Sequence, residues 1–120
     1  MTASYDINLD IKYPPLTRID IAAEGAAHSP WFNQTLSKVN DAVVRLGVIQ
    51  GEFHWHKHDE EDEFFLVLEG ELVVELASET VRLTPLQAYV VPKGIEHKTS
   101  APTRTVILMV EAAGVAPTGD

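Results

Sequence analysis

G-E-F-H-W-H-K-H-D-E-E-D-E-F-F-L-V-L-E-G, Gly51 to Gly70, holds three of the chain's five histidines at alternate positions, His54, His56 and His58. Successive side chains of a strand point to opposite faces, so these three share one face. Alternate Cα atoms lie about 6.6–7 Å apart, close enough for imidazoles to converge on one ion about 2.1 Å from each nitrogen. Asp59 to Asp62 reads as a polar hairpin bend. Glu63 then begins a return strand and presents its carboxylate to the face of His56 and His58. A second stretch, Val91-Pro92-Lys93-Gly94-Ile95-Glu96-His97, has proline and glycine spaced for a tight turn that aims His97. Three imidazoles and one carboxylate suit a divalent first-row metal, here Fe, Mn, Ni, Co or Zn.

Outward from this stretch the dominant period is two. Ala42 to Ile49, Glu71 to Leu76, Ala88 to Val91 and Thr105 to Glu111 are apolar and rich in β-branched residues. Turn signals separate them at Asn40-Asp41, Glu69-Gly70, Thr84-Pro85, Pro92-Lys93-Gly94 and Ala101-Pro102. No window offers a capped helical stripe, so the pattern predicts an all-β sandwich or barrel. Tyr13-Pro14-Pro15 interrupts any regular element near the start, Thr17 to Ile21 alternates as an added edge strand would, and Gly114 to Asp120 reads as a frayed tail. The expected layout is an N-terminal arm over 1–35, a barrel over 36–112 and a flexible tail over 113–120. Phe64 to Leu68 and Val106 to Val110 are apolar on both faces, whereas a strand with one face in water alternates. The N-terminal segment, a second subunit or both must cover the outer face, and a homodimer is the expected assembly.

At 120 residues the chain is one domain, and its 45% hydrophobic and 22% charged content is that of a globular protein. Without cysteine it has neither disulfides nor a thiolate metal site. A formal charge of −9 argues against nucleic acid, which needs clustered Lys and Arg. M-T-A-S-Y-D lacks the basic and apolar regions of a secretory leader, and no apolar run is long enough for a membrane span. The cytoplasm is the expected compartment, with no membrane partner.

The two stretches together resemble the paired motifs of the cupins, small double-stranded β-helix or jelly-roll barrels. The first cupin motif runs glycine, H-x-H, E, G; here Gly51 is followed by four residues, His56-Lys57-His58, four more, Glu63, six more and Gly70. The second runs G, P-x-G, H, N; here Pro92-Lys93-Gly94 is followed by two residues and His97. Leu86 replaces the second motif's leading glycine and Ala101 its asparagine, which bears on local turn geometry. The resemblance spans about Val43 to Val110. It implies an all-β cupin barrel with an N-terminal extension, and His56, His58, Glu63 and His97 as metal ligands. It further implies an enzyme acting on a small polar or carbonyl-containing molecule, of dioxygenase or sugar isomerase, epimerase or lyase type. The alternative is a non-catalytic cupin that binds a small molecule at its metal.

Other residues are weighed by parity. His54 shares the ligand face, either orienting a ligand and moving a proton or simply packed and hydrogen-bonded. Glu63 is the second candidate base. Phe53 and Trp55 have the opposite parity and are expected to pack away from the metal, in the core or an interface. Phe65 and Val67 share Glu63's face, as pocket wall or core. Tyr89 reads as a half-buried strand tyrosine, His28 as a loop histidine, and Asp59 to Asp62 as a solvated tip. Arg45 interrupts a strand and either enters the pocket, where it would favour carboxylate or phosphate groups, or sits on a wet face.

Overall fold

The β-branched segments form strands, and eight strands with one short helix occupy the described residues, 5–115 and 119, of the computed structural model. In chain order these are β1 (Asp6–Asn8), α1 (Ile21–Ala26), β2 (Phe32–Val39), β3 (Ala42–Glu52) and β4 (Glu63–Glu69), then β5 (Leu72–Glu75), β6 (Thr80–Leu83), β7 (Ala88–Val91) and β8 (Lys98–Ala112). Neighbours run β1-β2-β3-β8-β4-β7, and β5 pairs with both β6 and β8. Only the β1–β2 ladder is parallel. Strands distant in sequence lie side by side, as in a jelly roll. The fifteen-residue β8 is the hinge of the arrangement. Its start, Lys98 to Ser100, pairs with β5, and Val106 to Val110 run between β3 and β4.

Register sorts the side chains into rows. Thr35, Arg45, Met109, Phe65 and Tyr89 form one inward row, and Asn33, Gly47, Ile107 and Val67 the next. The barrel core gathers Ile49, Phe65, Val67, Leu72, Val74 and Met109, with Tyr89 half-buried against it. Gly70 closes the β4–β5 turn at φ +85°, where a Cβ would lie 2.7 Å from the Arg104 carbonyl oxygen. Only glycine meets both demands.

The opposite face is covered by the arm. Phe32, Leu36, Leu46, Val48 and Val106 form a second cluster, over which Tyr13, Ile19 and Ile21 pack. Asp20 caps α1, its Oδ1 accepting the Ala23 N–H at 3.1 Å. Gly25 lets the helix approach, since a Cβ there would sit 2.9 Å from Val106 Cγ1. Beneath it the Glu24 carboxylate is buried against Lys12 at 2.9 Å.

Several expectations are corrected here. The 59–62 segment is not a hairpin bend: among the described residues β4 pairs with β8 and β7, and no ladder joins it to β3. A jelly roll pairs strands across the barrel, so this segment is a crossover. Thr17 to Ile21 forms no edge strand; Asp20 starts a helix, and the added edge strand is β1. Ala101-Pro102 is no turn either, because β8 runs through it. Pro102 falls where the β3–β8 ladder lapses between Ile49 and Gly51, a place that needs no donor. The segments β2 and β6 were not foreseen as strands. The expected tail, 113–120, falls partly outside the described residues.

Leu86, the replaced motif glycine, adopts φ +69° with its side chain 80% exposed. It keeps the glycine's left-handed conformation without glycine's freedom, which costs about 1–2 kcal/mol. Leu86→Gly is therefore expected to stabilise the protein by up to about 1 kcal/mol after glycine's own entropy cost, read as a rise in urea midpoint. An unchanged or lower midpoint would refute strain at this turn.

Candidate metal centre

Three segments bring the site together. His56 and His58 lie on the crossover from β3 to β4, Glu63 is the first residue of β4, and His97 directly precedes β8. Their backbones are stitched to one another. His56 and His97 exchange N–H···O=C bonds of 3.0 and 2.9 Å. The Gly94 N–H donates to the His58 carbonyl at 2.8 Å, and the Lys93 N–H donates to Asp62 Oδ1 at 3.0 Å. The Pro92–Gly94 turn thus locks the crossover that carries two of the histidines, with Gly94 at φ +76°.

One ligand atom from each of His56, His58, Glu63 and His97 lies within 4.8 Å of the others. His58, Glu63 and His97 are buried, and His56 is partly so. The ring orientations are set from behind. His97 Nδ1 lies 3.0 Å from the Ile95 carbonyl and His56 Nδ1 lies 3.0 Å from the His54 carbonyl, so each Nδ1 carries the hydrogen. In the neutral rings Nε2 is then a lone pair, and His97 Nε2 faces Glu63 Oε1 at 3.3 Å. Two acceptors in that relation require a proton or a cation between them. The donors therefore fit a divalent ion held by nitrogen and oxygen.

Electrostatics favour the metal-binding protonation states. Burial pushes the His56 imidazole down to about 4, against the hydrogen bond to the His54 carbonyl. Burial alone would raise the Glu63 carboxyl, but the imidazoles of His58 and His97 beside it hold it well below the usual carboxylate range. Because folding lowers its pKa, the His56 contribution to stability is present above pH about 6.5 and is lost as pH falls toward 4. Relative to His56→Gln, chelator-treated wild type is expected to lose more urea resistance between pH 7 and pH 4.5. Equal slopes would refute the assignment.

Below the four residues lies a pair that sequence reasoning missed. Arg45 and Glu111 are 2% and 3% exposed, with Nε and Oε1 2.9 Å apart. The N–H is not aligned on that oxygen, so the guanidinium lies against the carboxyl without a directed bond. Burial, then the neighbouring Glu63 carboxylate, push Glu111 up to about 9. Two buried carboxyls side by side do not both ionise, and Glu111 is the one that keeps its proton. Its parity with Met109 and Ile107 in T-V-I-L-M-V-E was the available signal.

The other candidates are placed as follows. His54 stands outside the four, at the exposed rim, its ring centroid 5.3 Å from that of His56. Phe53 does not point away, as parity required. The strand ends at Glu52, and the Phe53 ring turns to within 5.3 Å of His56. Trp55 is 49% exposed. Arg45 faces inward yet is engaged by Glu111, and His28 stacks on Phe32 at 3.5 Å. A cavity of about 560 Å³, counted out to its mouth, opens beside the site, and both His56 and Glu63 line it. No helix among the described residues is long and apolar enough to cross a membrane.

Comparison with known proteins agrees with this architecture. The cupin domain family model matches residues 42–111, and the chain belongs to that family. It is 46% identical over 80 residues to the uncharacterized protein YdbB of Bacillus subtilis, covering 66% of this chain and 71% of that one. Among solved structures, a cupin-2 domain protein from Shewanella frigidimarina aligns with TM-score 0.75 and 32% identity, over 78% of this chain and 93% of that one. The protein NMB1881 from Neisseria meningitidis aligns with TM-score 0.72 and 19% identity, over 80% and 99%, a likeness of fold alone.

Proposed function

We propose that this cupin is a metal-dependent enzyme acting on a small molecule that presents a hydroxyl or carbonyl oxygen. The carrying observation is the convergence of three imidazoles and one carboxylate, with Nε2 lone pairs exposed by backbone hydrogen bonds, at the wall of an open cavity. A divalent metal held by His56, His58, Glu63 and His97 would supply Lewis acidity or, as iron, oxygen activation. The chain's own groups would do the rest. Phe53, whose ring lies 5.3 Å from that of His56, would shield the site from water, and His54 at the rim would carry a proton between site and solvent. Iron makes the reading a dioxygenase; manganese, nickel, cobalt or zinc makes it an isomerase, epimerase or lyase. The second reading, metal-assisted binding without turnover, rests on the same site.

The test is metal content of untagged protein, measured by plasma mass spectrometry, followed by oxygen-uptake or isomerase and lyase screens chosen by the ion found. About one ion per chain supports the reading. A folded protein that takes up none, even on reconstitution, overturns it.

We infer that the chain pairs with a second copy, with the cytoplasm its expected compartment. Val90, Phe64 and Val110 lie side by side on the outer face, where Val90 is 48% and Val110 36% exposed, beyond the part that the arm covers. Light scattering should give twice the chain mass, falling to one chain in Val90→Glu. A monomer at high concentration would refute the pairing.

A further inference from the structure

The cavity beside the four residues is built for a different chemistry than its metal end. Tyr5, Trp31 and Phe53 surround it in mutual ring contact, with centroids 5.4 Å apart for Tyr5–Trp31, 5.1 Å for Tyr5–Phe53 and 5.6 Å for Trp31–Phe53. Phe65, Ile107 and Met109 form its inner wall. Gly47 lets that wall pack close, since a Cβ there would come within 3.1 Å of both Ile107 Cγ1 and Met109 Cε. No lysine or arginine lines the cavity among the described residues, and the inward Arg45 is already engaged by Glu111. A carboxylate or phosphate on the ligand would find no counter-charge away from the metal end. The polar feature of the lining that lacks a partner is Asn33, whose buried Oδ1 accepts no hydrogen bond. A buried amide left in that state is costly unless a ligand or water completes it.

We propose that the cavity takes a flat, uncharged aromatic ring bearing a hydroxyl group, its face against Trp31 and Phe53 and its hydroxyl in reach of Asn33 or of the four-residue site. Aromatic side chains recognise such rings by offset or edge-to-face contact, which an aliphatic hydroxy acid does not return. This rests on the proposed metal-dependent reading for the ligand's orientation, but the ring-binding wall stands on its own residues.

The experiment is calorimetric titration of metal-loaded and chelator-treated protein with two probes, 2-naphthol and glycolate. 2-Naphthol is expected to bind both forms, and Trp31→Ala and Phe53→Ala to weaken it at least about five-fold. Glycolate is expected to bind the loaded form alone, with an affinity that Trp31→Ala leaves within about two-fold. Circular dichroism checks folding; should Trp31→Ala fail it, Phe53→Ala, on the crossover outside the strands, carries the test. 2-Naphthol binding that the variants weaken, in a protein that takes up no metal, supports the aromatic cavity while removing the metal reading. Glycolate bound by the loaded protein with no 2-naphthol binding to either form overturns the aromatic cavity and leaves the metal reading intact. 2-Naphthol bound equally by wild type and Phe53→Ala also overturns it.

Discussion

Glu111→Leu is expected to destabilise the fold by about 1–3 kcal/mol, the penalty of leaving the buried guanidinium without the polar carboxyl beside it. The guanidinium of Arg45 is 2% exposed, and with Glu111 gone its remaining described hydrogen bond is Nη2 to the Val115 carbonyl at 3.3 Å. Arg45→Met should cost less, because a carboxyl already raised to about 9 is neutral at pH 7 and leaves no bare anion behind. The double variant should recover part of the Glu111→Leu loss, since the buried guanidinium is then gone as well. Glu111→Gln, the shape of the protonated acid, should cost least at pH 7. With the folded pKa raised from 4.5 to about 9, the Glu111 contribution is full below pH 4.5 and lost as pH rises toward 9, so the native protein should weaken relative to the Gln variant over that window. Urea midpoints across the four proteins decide the matter: equal losses for Glu111→Leu and Arg45→Met would show that the two are coupled in some other way.

The second large effect concerns ligand loss. Metal that binds the folded chain alone stabilises it by about 4 kcal/mol at a thousandfold excess over Kd. Wild type, stripped and reloaded, should therefore rise in Tm by several degrees, and His97→Ala should abolish both the rise and the bound ion. His97 is the informative position because it is 1% exposed and its backbone pairing with His56 survives truncation of the side chain. His54→Ala, outside the four, should retain full metal content. A His97→Ala protein that still holds one ion per chain would remove His97 from the site.

The four candidate ligands were legible because their spacing is local: H-x-H, the glutamate and P-x-G-x-x-H each lie within a few residues. The face of Phe53 was not, because period-two reasoning holds only inside a strand, and β3 ends one residue earlier. The acidic run at 59–62 looked like a turn by composition, yet connectivity in a jelly roll is decided by pairing across the barrel. β2 was hidden by its own role, since Asn33 and Thr35 put polar side chains on the inward face and blur the alternation. The helix was too short for a periodic stripe, and its signal was Asp20 with Ala23 three residues on. The Arg45–Glu111 pair was out of reach because its members are adjacent only after β3 and β8 meet.

That meeting has a temporal side. His97 and β8 occupy the final quarter of the chain, and β8 is the strand on which β3, β4 and β5 all close. A nascent polypeptide halted before residue 97 would possess two of the three imidazoles and none of the seam that joins the sheet. Barrel closure and completion of the four-residue donor set are thus a single event, which cannot occur until His97 and β8 have been made.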